Sequence, residues 1–253
     1  MKRPSLNAPS WLTARPIAHR GLHSQGNGLV ENTLAAAEAA LAKNYAIECD
    51  VRYTKDGEAV VFHDATVDRL LCATGRVDAF SAAELSRLVY KKCDQRIISL
   101  HDFLARIDGR VPVIVEIKSH YDGDTRLAAR TVATIADFAG PISLKSLDPQ
   151  VLIHLREAGL DCPMGLVARA DYDDEEWKAL PQETLERLAD LRDFPLVQPD
   201  YLSWNHINLP HAVPTLCRTA IGMPVMTWAV ASEAASRQAR VWADQIIFEG
   251  FEP

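Results

Sequence analysis

Apolar, β-rich runs alternate with helical patterns along the whole chain, and this alternation restricts the fold more than any other feature. The strand runs are Ile17–His19, Ala46–Val51, Val113–Ile117, Ile142–Ser146, Met164–Val167, Tyr201–Trp204, Val225–Val230 and Gln245–Phe248. Helical segments lie between them. Residues 32–44 are Ala-rich, with Asn32 or Thr33 placed to cap them. Residues 124–140 end on Gly140, and residues 148–159 open with Asp-Pro and close on Gly159. Strand–helix alternation implies a parallel sheet with right-handed crossovers. Eight units in 253 residues predict an α/β protein with a closed (β/α)8 TIM barrel, one domain over residues 1–253. The rival is an open doubly wound sheet. It would show a Gly-rich phosphate loop after the first strand, and "HRGLHSQGNG" (19–28) does not match one. Residues 64–98 lack a barrel strand. Together with the hairpin before them they predict a small insertion over about 56–98 after the second strand, carrying a short helix in "SAAELSRL" (81–88).

The chemistry concentrates in "AIECDVRYTKDGEAVVFHD" (46–64). Asp56-Gly57 is a strong hairpin signal. A two-residue loop there pairs Tyr53 with Val60, Val51 with Phe62, and Asp50 with His63. Side chains alternate along a strand, so Glu48 and Asp50 share a face. Glu48, Asp50 and His63 therefore converge in this register. Two neighbouring interior carboxylates raise each other's pKa or need a cation. Oxygen-only ligands favour a hard divalent ion, Mg2+ or Ca2+. A third carboxylate, Glu116, ends the apolar run "VPVIVEIKS", and Lys118 points the same way two residues on. His19 and Arg20 end the first strand. In a barrel of this type, side chains at the C-terminal strand ends build the active site. Charged groups inside apolar runs are costly without partners, which makes a chance clustering of these ends a poor explanation. Cys49 alternates away from this face and reads as a core thiol, and His23 as a loop residue at the mouth.

Charge and cysteine content limit the setting. A formal charge of −7 argues against a general nucleic-acid binder. Five cysteines without a C-x-x-C pair read as reduced thiols. The opening residues are basic without an apolar core, so the expected location is the cytoplasm. No run approaches the ~18 apolar residues of a membrane span, so no stable membrane insertion is expected.

"HRG" (19–21), "ENT" (31–33), "ECD" (48–50), "DG" (56–57), "HD" (63–64) and "EIK" (116–118) resemble the glycerophosphodiester phosphodiesterases. The likeness continues more weakly through "ISLHDFL" (98–104), "SLDPQVL" (146–152), "GLVA" (165–168) and "MTWAV" (226–230). The resemblance implies a (β/α)8 barrel that uses a divalent metal to hydrolyse a small glycerophosphodiester to glycerol 3-phosphate and an alcohol. It implies that Glu48, Asp50 and Glu116 hold the metal, and that His19 and His63 act as general acid and base. Arg20 and Lys118 would bind phosphate oxygens, Glu31 would orient the site, and Trp228 would wall the glycerol pocket. Two features depart from the family pattern: the long first loop, with Val30 before Glu-Asn-Thr, and Phe248-Glu249 after the last strand. A lysophospholipase D-like activity at the same site, or a non-catalytic phosphate-ester binding barrel, are the alternatives.

Overall fold

The computed structural model describes residues 8–24 and 28–253. The opening residues 1–7, which carry the reading of the N-terminal start, and residues 25–27 of the long first loop lie outside the described residues. Eight parallel strands form a closed barrel with helices between them: β1 (Ile17–Ala18), β2 (Ala46–Tyr53), β4 (Val113–Ile117), β5 (Ile142–Ser146), β6 (Met164–Ala168), β7 (Tyr201–Asn205), β8 (Val225–Val230) and β9 (Gln245–Phe248). The ninth strand, β3 (Ala59–Val61), runs antiparallel on β2 and is the hairpin arm. Closure falls on β1, where Ile17 pairs with Ala46 on one side and Ile247 on the other.

Alternation along each strand sorts the residues into two cores. Inward positions Ile17, Ala46, Ile114, Tyr201, Met226 and Ile247 pack together as an apolar floor, plugged by Leu12. Outward positions such as Cys49, Val51, Val115, Leu144 and Leu202 pack with helix residues Ala40, Phe103, Leu104 and Leu152. Hydrophobic burial on both faces explains why these strands read as continuous apolar runs. Gly165 is part of the floor's geometry, since a Cβ there would stand 2.2 Å from the Tyr201 ring. The first helix, Leu34–Ala42, is capped by Thr33, whose side chain accepts from the Ala36 N–H. Asn32, the other capping candidate, is used elsewhere.

The insertion folds around its own core of Val60, Phe62, Val67, Leu71, Val77, Leu85, Tyr90 and Ile97. Its short helix Ala82–Leu85 opens on a capping box between Ser81 and Glu84. The hairpin register differs from the sequence expectation by one residue. Val51 pairs with Val61, Arg52 with Val60 and Tyr53 with Ala59. The cause is at the turn. Thr54 N–H donates to the Glu58 carbonyl at 3.0 Å and Gly57 N–H to the Thr54 carbonyl at 3.1 Å. The Thr54 hydroxyl also accepts from Glu58 N–H at 2.9 Å. The loop is therefore three residues, with Gly57 at φ 87°. Asp50 thus faces Phe62, whose N–H donates to the Asp50 carbonyl at 3.0 Å, and His63 lies beyond the ladder. No helix among the described residues is long and apolar enough to cross a membrane.

Candidate active site and metal centre

Strand register builds the acidic side of the barrel mouth. Asp50 lies beside Glu116 on the neighbouring strand, and Glu116 beside Lys145 on the next. Glu48 is one inward step below Asp50, and Lys118 one step above Glu116. Glu48 and Asp50 are fully buried and Glu116 nearly so. Lys118 Nζ stands 2.8 Å from Asp50 Oδ1 and also meets Glu116 Oε1. Lys145 Nζ bridges Glu48 Oε1 at 3.1 Å and Glu116 Oε2 at 3.0 Å. Burial pushes the Glu116 carboxyl up, but Lys118 and Lys145 outweigh it and hold the group at about 2. Burial likewise opposes ionisation of Asp50, and the charges of Lys118, His63, Arg20 and His19 pull it well below the usual range.

The "HRG" and "ENT" segments lock onto these acids. Arg20 N–H donates to Glu48 Oε2 at 2.9 Å, and Arg20 Nε lies 3.3 Å from Asp50 Oδ2. Gly21 is required because its φ is 79° and a Cβ would stand 2.7 Å from the Ala36 carbonyl carbon. Asn32 grips Asp50 from two directions: its Nδ2 donates to Asp50 Oδ2 at 2.8 Å, and Asp50 N–H donates to Asn32 Oδ1 at 3.1 Å.

Both imidazoles are anchored by carboxylates. His19 Nδ1 lies 2.6 Å from Glu249 Oε2, and His63 Nδ1 lies 2.8 Å from Asp64 Oδ1. The hydrogen bond from His19, with His23 close by, holds the Glu249 carboxyl well below its ordinary range. Burial opposes the same effect at Asp64, where the bonds from His63 and Arg69 prevail. Ionised carboxylates only accept, so each Nδ1 carries a proton and donates it. That leaves each Nε2 for other partners. Arg69 connects the two halves. It donates to both oxygens of Asp64 and to both of Glu31, and Glu31 in turn accepts from Arg20 Nη1 at 2.6 Å. Burial pushes Glu31 up, and these two guanidinium groups bring it down to about 2.

A cleft of about 630 Å³ opens beside the acids, running from Glu116 and Lys118 past His63 and Arg69 to Trp177. Trp228 is half-buried over the apolar floor, and its Nε1 donates to the Ser203 carbonyl at 2.9 Å. Trp204, also at a strand end, is buried away from the mouth and stacks on His211. His23 lies in the loop after the first strand, as expected, and its Nε2 comes within 3.5 Å of Glu249.

Glu48, Asp50 and Glu116 each offer an oxygen within 4.8 Å of the others. Glu48 Oε1 and Asp50 Oδ1 are buried, and each faces a lysine ammonium group, at 3.1 and 2.8 Å. An all-oxygen donor set of three converging carboxylates fits a hard divalent cation. His19, His23 and Glu249 form a second group within the same spacing, of mixed nitrogen and oxygen donors. Sequence reasoning gave no site role to Lys145, Asp64 or Arg69, read Asn32 only as a candidate helix cap, and marked Glu249 only as a departure. Lys145 was visible as a lysine at an inward position of an apolar run. Arg69 carried no local signal.

Residues 19–251 match the glycerophosphoryl diester phosphodiesterase family. The human glycerophosphodiester phosphodiesterase 1 is 29% identical over 164 residues, 60% of this chain and 48% of that protein. The glycerophosphodiester phosphodiesterase of Caldanaerobacter subterraneus subsp. tengcongensis is 39% identical over 111 residues, 41% of this chain and 44% of that protein. The chain spans about half the length of these curated relatives. An Oleispira antarctica phosphodiesterase, solved with the product sn-glycerol-3-phosphate, superposes with a TM-score of 0.77 at 19% identity, covering 93% of this chain and 92% of that one. The Agrobacterium tumefaciens glycerophosphodiester phosphodiesterase gives a TM-score of 0.69 at 19% identity, over 93% of this chain and 96% of that one. At such identities the superpositions establish the shared barrel. With the family match running nearly from end to end, the chain belongs to the glycerophosphoryl diester phosphodiesterase family.

Proposed function

We propose that the protein is a metal-dependent hydrolase of glycerophosphodiesters, releasing glycerol 3-phosphate and an alcohol. The observation that carries this reading is the meeting, at one barrel mouth, of a buried acid triad and two imidazoles with carboxylate-bound Nδ1 atoms. Family membership and the product bound to the Oleispira antarctica relative support it. Glu48, Asp50 and Glu116 would hold the ion, Mg2+ or Ca2+. Such an ion would offset phosphate charge as the transition state forms and would lower the pKa of the glycerol hydroxyl beside the phosphate.

The protein's own groups do the rest. Arg20 and Lys118 take the phosphate oxygens, with Glu31 fixing the Arg20 guanidinium. One imidazole takes the proton of the attacking glycerol hydroxyl through Nε2. The other gives a proton to the departing alcohol oxygen. The resulting cyclic phosphate is opened by water with the proton roles reversed. Trp228 would wall the glycerol side with an apolar ring. Residues 1–253 act as one domain in this reading, and five cysteines without a C-x-x-C pair go with the reducing, cytoplasmic setting it takes.

The test is product release from glycerophosphocholine. Glycerol 3-phosphate should appear with Mg2+ or Ca2+ and disappear with a chelator. Full turnover in chelator overturns the metal role. Preference for a lysophospholipid over glycerophosphocholine selects the lysophospholipase D-like reading instead. Ester binding without turnover under any metal selects the binding barrel.

A further inference from the structure

Lys145 is the one charged group of the acid cluster without a role in that scheme. It is 1% exposed and does not line the cleft. It lies on β5 two residues beyond Ser143, whose Oγ meets the Tyr201 hydroxyl at 3.0 Å in the barrel interior. Its neighbour in register is Gly165, which adds no side chain. Its ammonium group is spent on two of the three acids, Glu48 at 3.1 Å and Glu116 at 3.0 Å. Lys118 and Arg20 supply the remaining positive charge from the mouth side, at 2.8 and 3.3 Å from Asp50. Three carboxylates thus face three cations, of which Arg20 is shared with Glu31. Three carboxylates alone would repel one another when empty and would grip a divalent ion strongly, because affinity at such sites follows ligand charge. A buried lysine changes both properties.

We propose that Lys145 is a built-in counter-ion of the acid triad, resting on the reading of Glu48, Asp50 and Glu116 as metal ligands. It holds Glu48 and Glu116 in place without an ion, and it weakens the triad's grip on the ion that enters. Metal occupancy is thereby made exchangeable rather than permanent.

The experiment compares wild type with K145M, which removes the charge at similar length. Each is titrated calorimetrically with CaCl2 and with MgCl2, and melted in chelator and at saturating ion. K145M should bind about tenfold tighter or more, and should melt below wild type in chelator. A K145M protein that folds only with ion present supports the proposal, and K145Q then supplies the affinity. Equal or weaker ion binding in the variants overturns the counter-ion role while leaving the metal reading intact. No ion binding in either wild type or variants removes the metal reading, and the counter-ion role with it.

Discussion

The two walls of the barrel mouth are built on different principles. The wall of β2, β4 and β5 is a cage of buried opposite charges, with each acid set by regular strand pairing. The wall of β1 and β9 is a half-buried group in which Glu249 is hydrogen-bonded to His19 with His23 3.5 Å away, set on a strand of two residues and the loop after the last one. On the first wall every group needs its neighbours to remain charged in an apolar barrel. On the second, one carboxylate orients rings that water could also reach. The first wall should therefore resist change until it fails outright, and the second should lose geometry by degrees.

The largest effect should come from breaking the cage. Glu116→Gln leaves Lys145 and Lys118 each short of a partner. Removing one member of a buried pair costs about 3–5 kcal/mol. Denaturant unfolding should show that loss, and turnover should vanish. A small stability change would mean that water screens the cage. Next come the imidazoles. His19→Ala and His63→Ala should each lower kcat by about 10²–10⁴-fold with melting temperatures close to wild type. Full activity in either would end its assignment. Glu249→Gln should be milder: a fall in kcat of roughly tenfold with KM little changed, as expected for a residue that positions the His19 imidazole rather than meets substrate. A change in KM alone would assign Glu249 to substrate binding instead.

The smallest effect concerns acid stability. Glu31 is held at about 2 against an ordinary 4.5. A carboxyl lowered on folding contributes stability that is complete above its unfolded pKa and is lost as pH falls toward the folded value. Wild type should therefore lose stability between about pH 4.5 and 2. Glu31→Gln should flatten that part of the curve, measured by unfolding at stepped pH. An unchanged acid limb would mean the Arg20–Glu31–Arg69 links contribute nothing.

The cage was more legible in the sequence than the histidine wall, for a physical reason. Glu48 and Asp50 share a face by the two-residue period of any strand, and Glu116 follows from barrel register. His63 reaches the same place, where its charge acts on Asp50, but not by the expected cross-strand pairing. Asp56-Gly57 signals a two-residue turn, whereas the Thr54 hydroxyl captures both Glu58 N–H and Asp56 and fixes a longer one. The partnership of His19 with Glu249 joins residues 230 positions apart and exists only once β9 closes onto β1. Arg69 is delivered by an insertion whose core is separate from the barrel's. Lys145 escaped notice because a lysine is seldom fully buried unless paired, and its partners lie on other strands.

The difference between the walls is tested most directly by where a metal binds. A crystal structure of the protein soaked in Mn2+ or Ca2+ should show one ion held by oxygens of Glu48, Asp50 and Glu116, with His19 still on Glu249. An ion held by His19, His23 and Glu249, with the acid cage still closed on its lysines, would contradict the account.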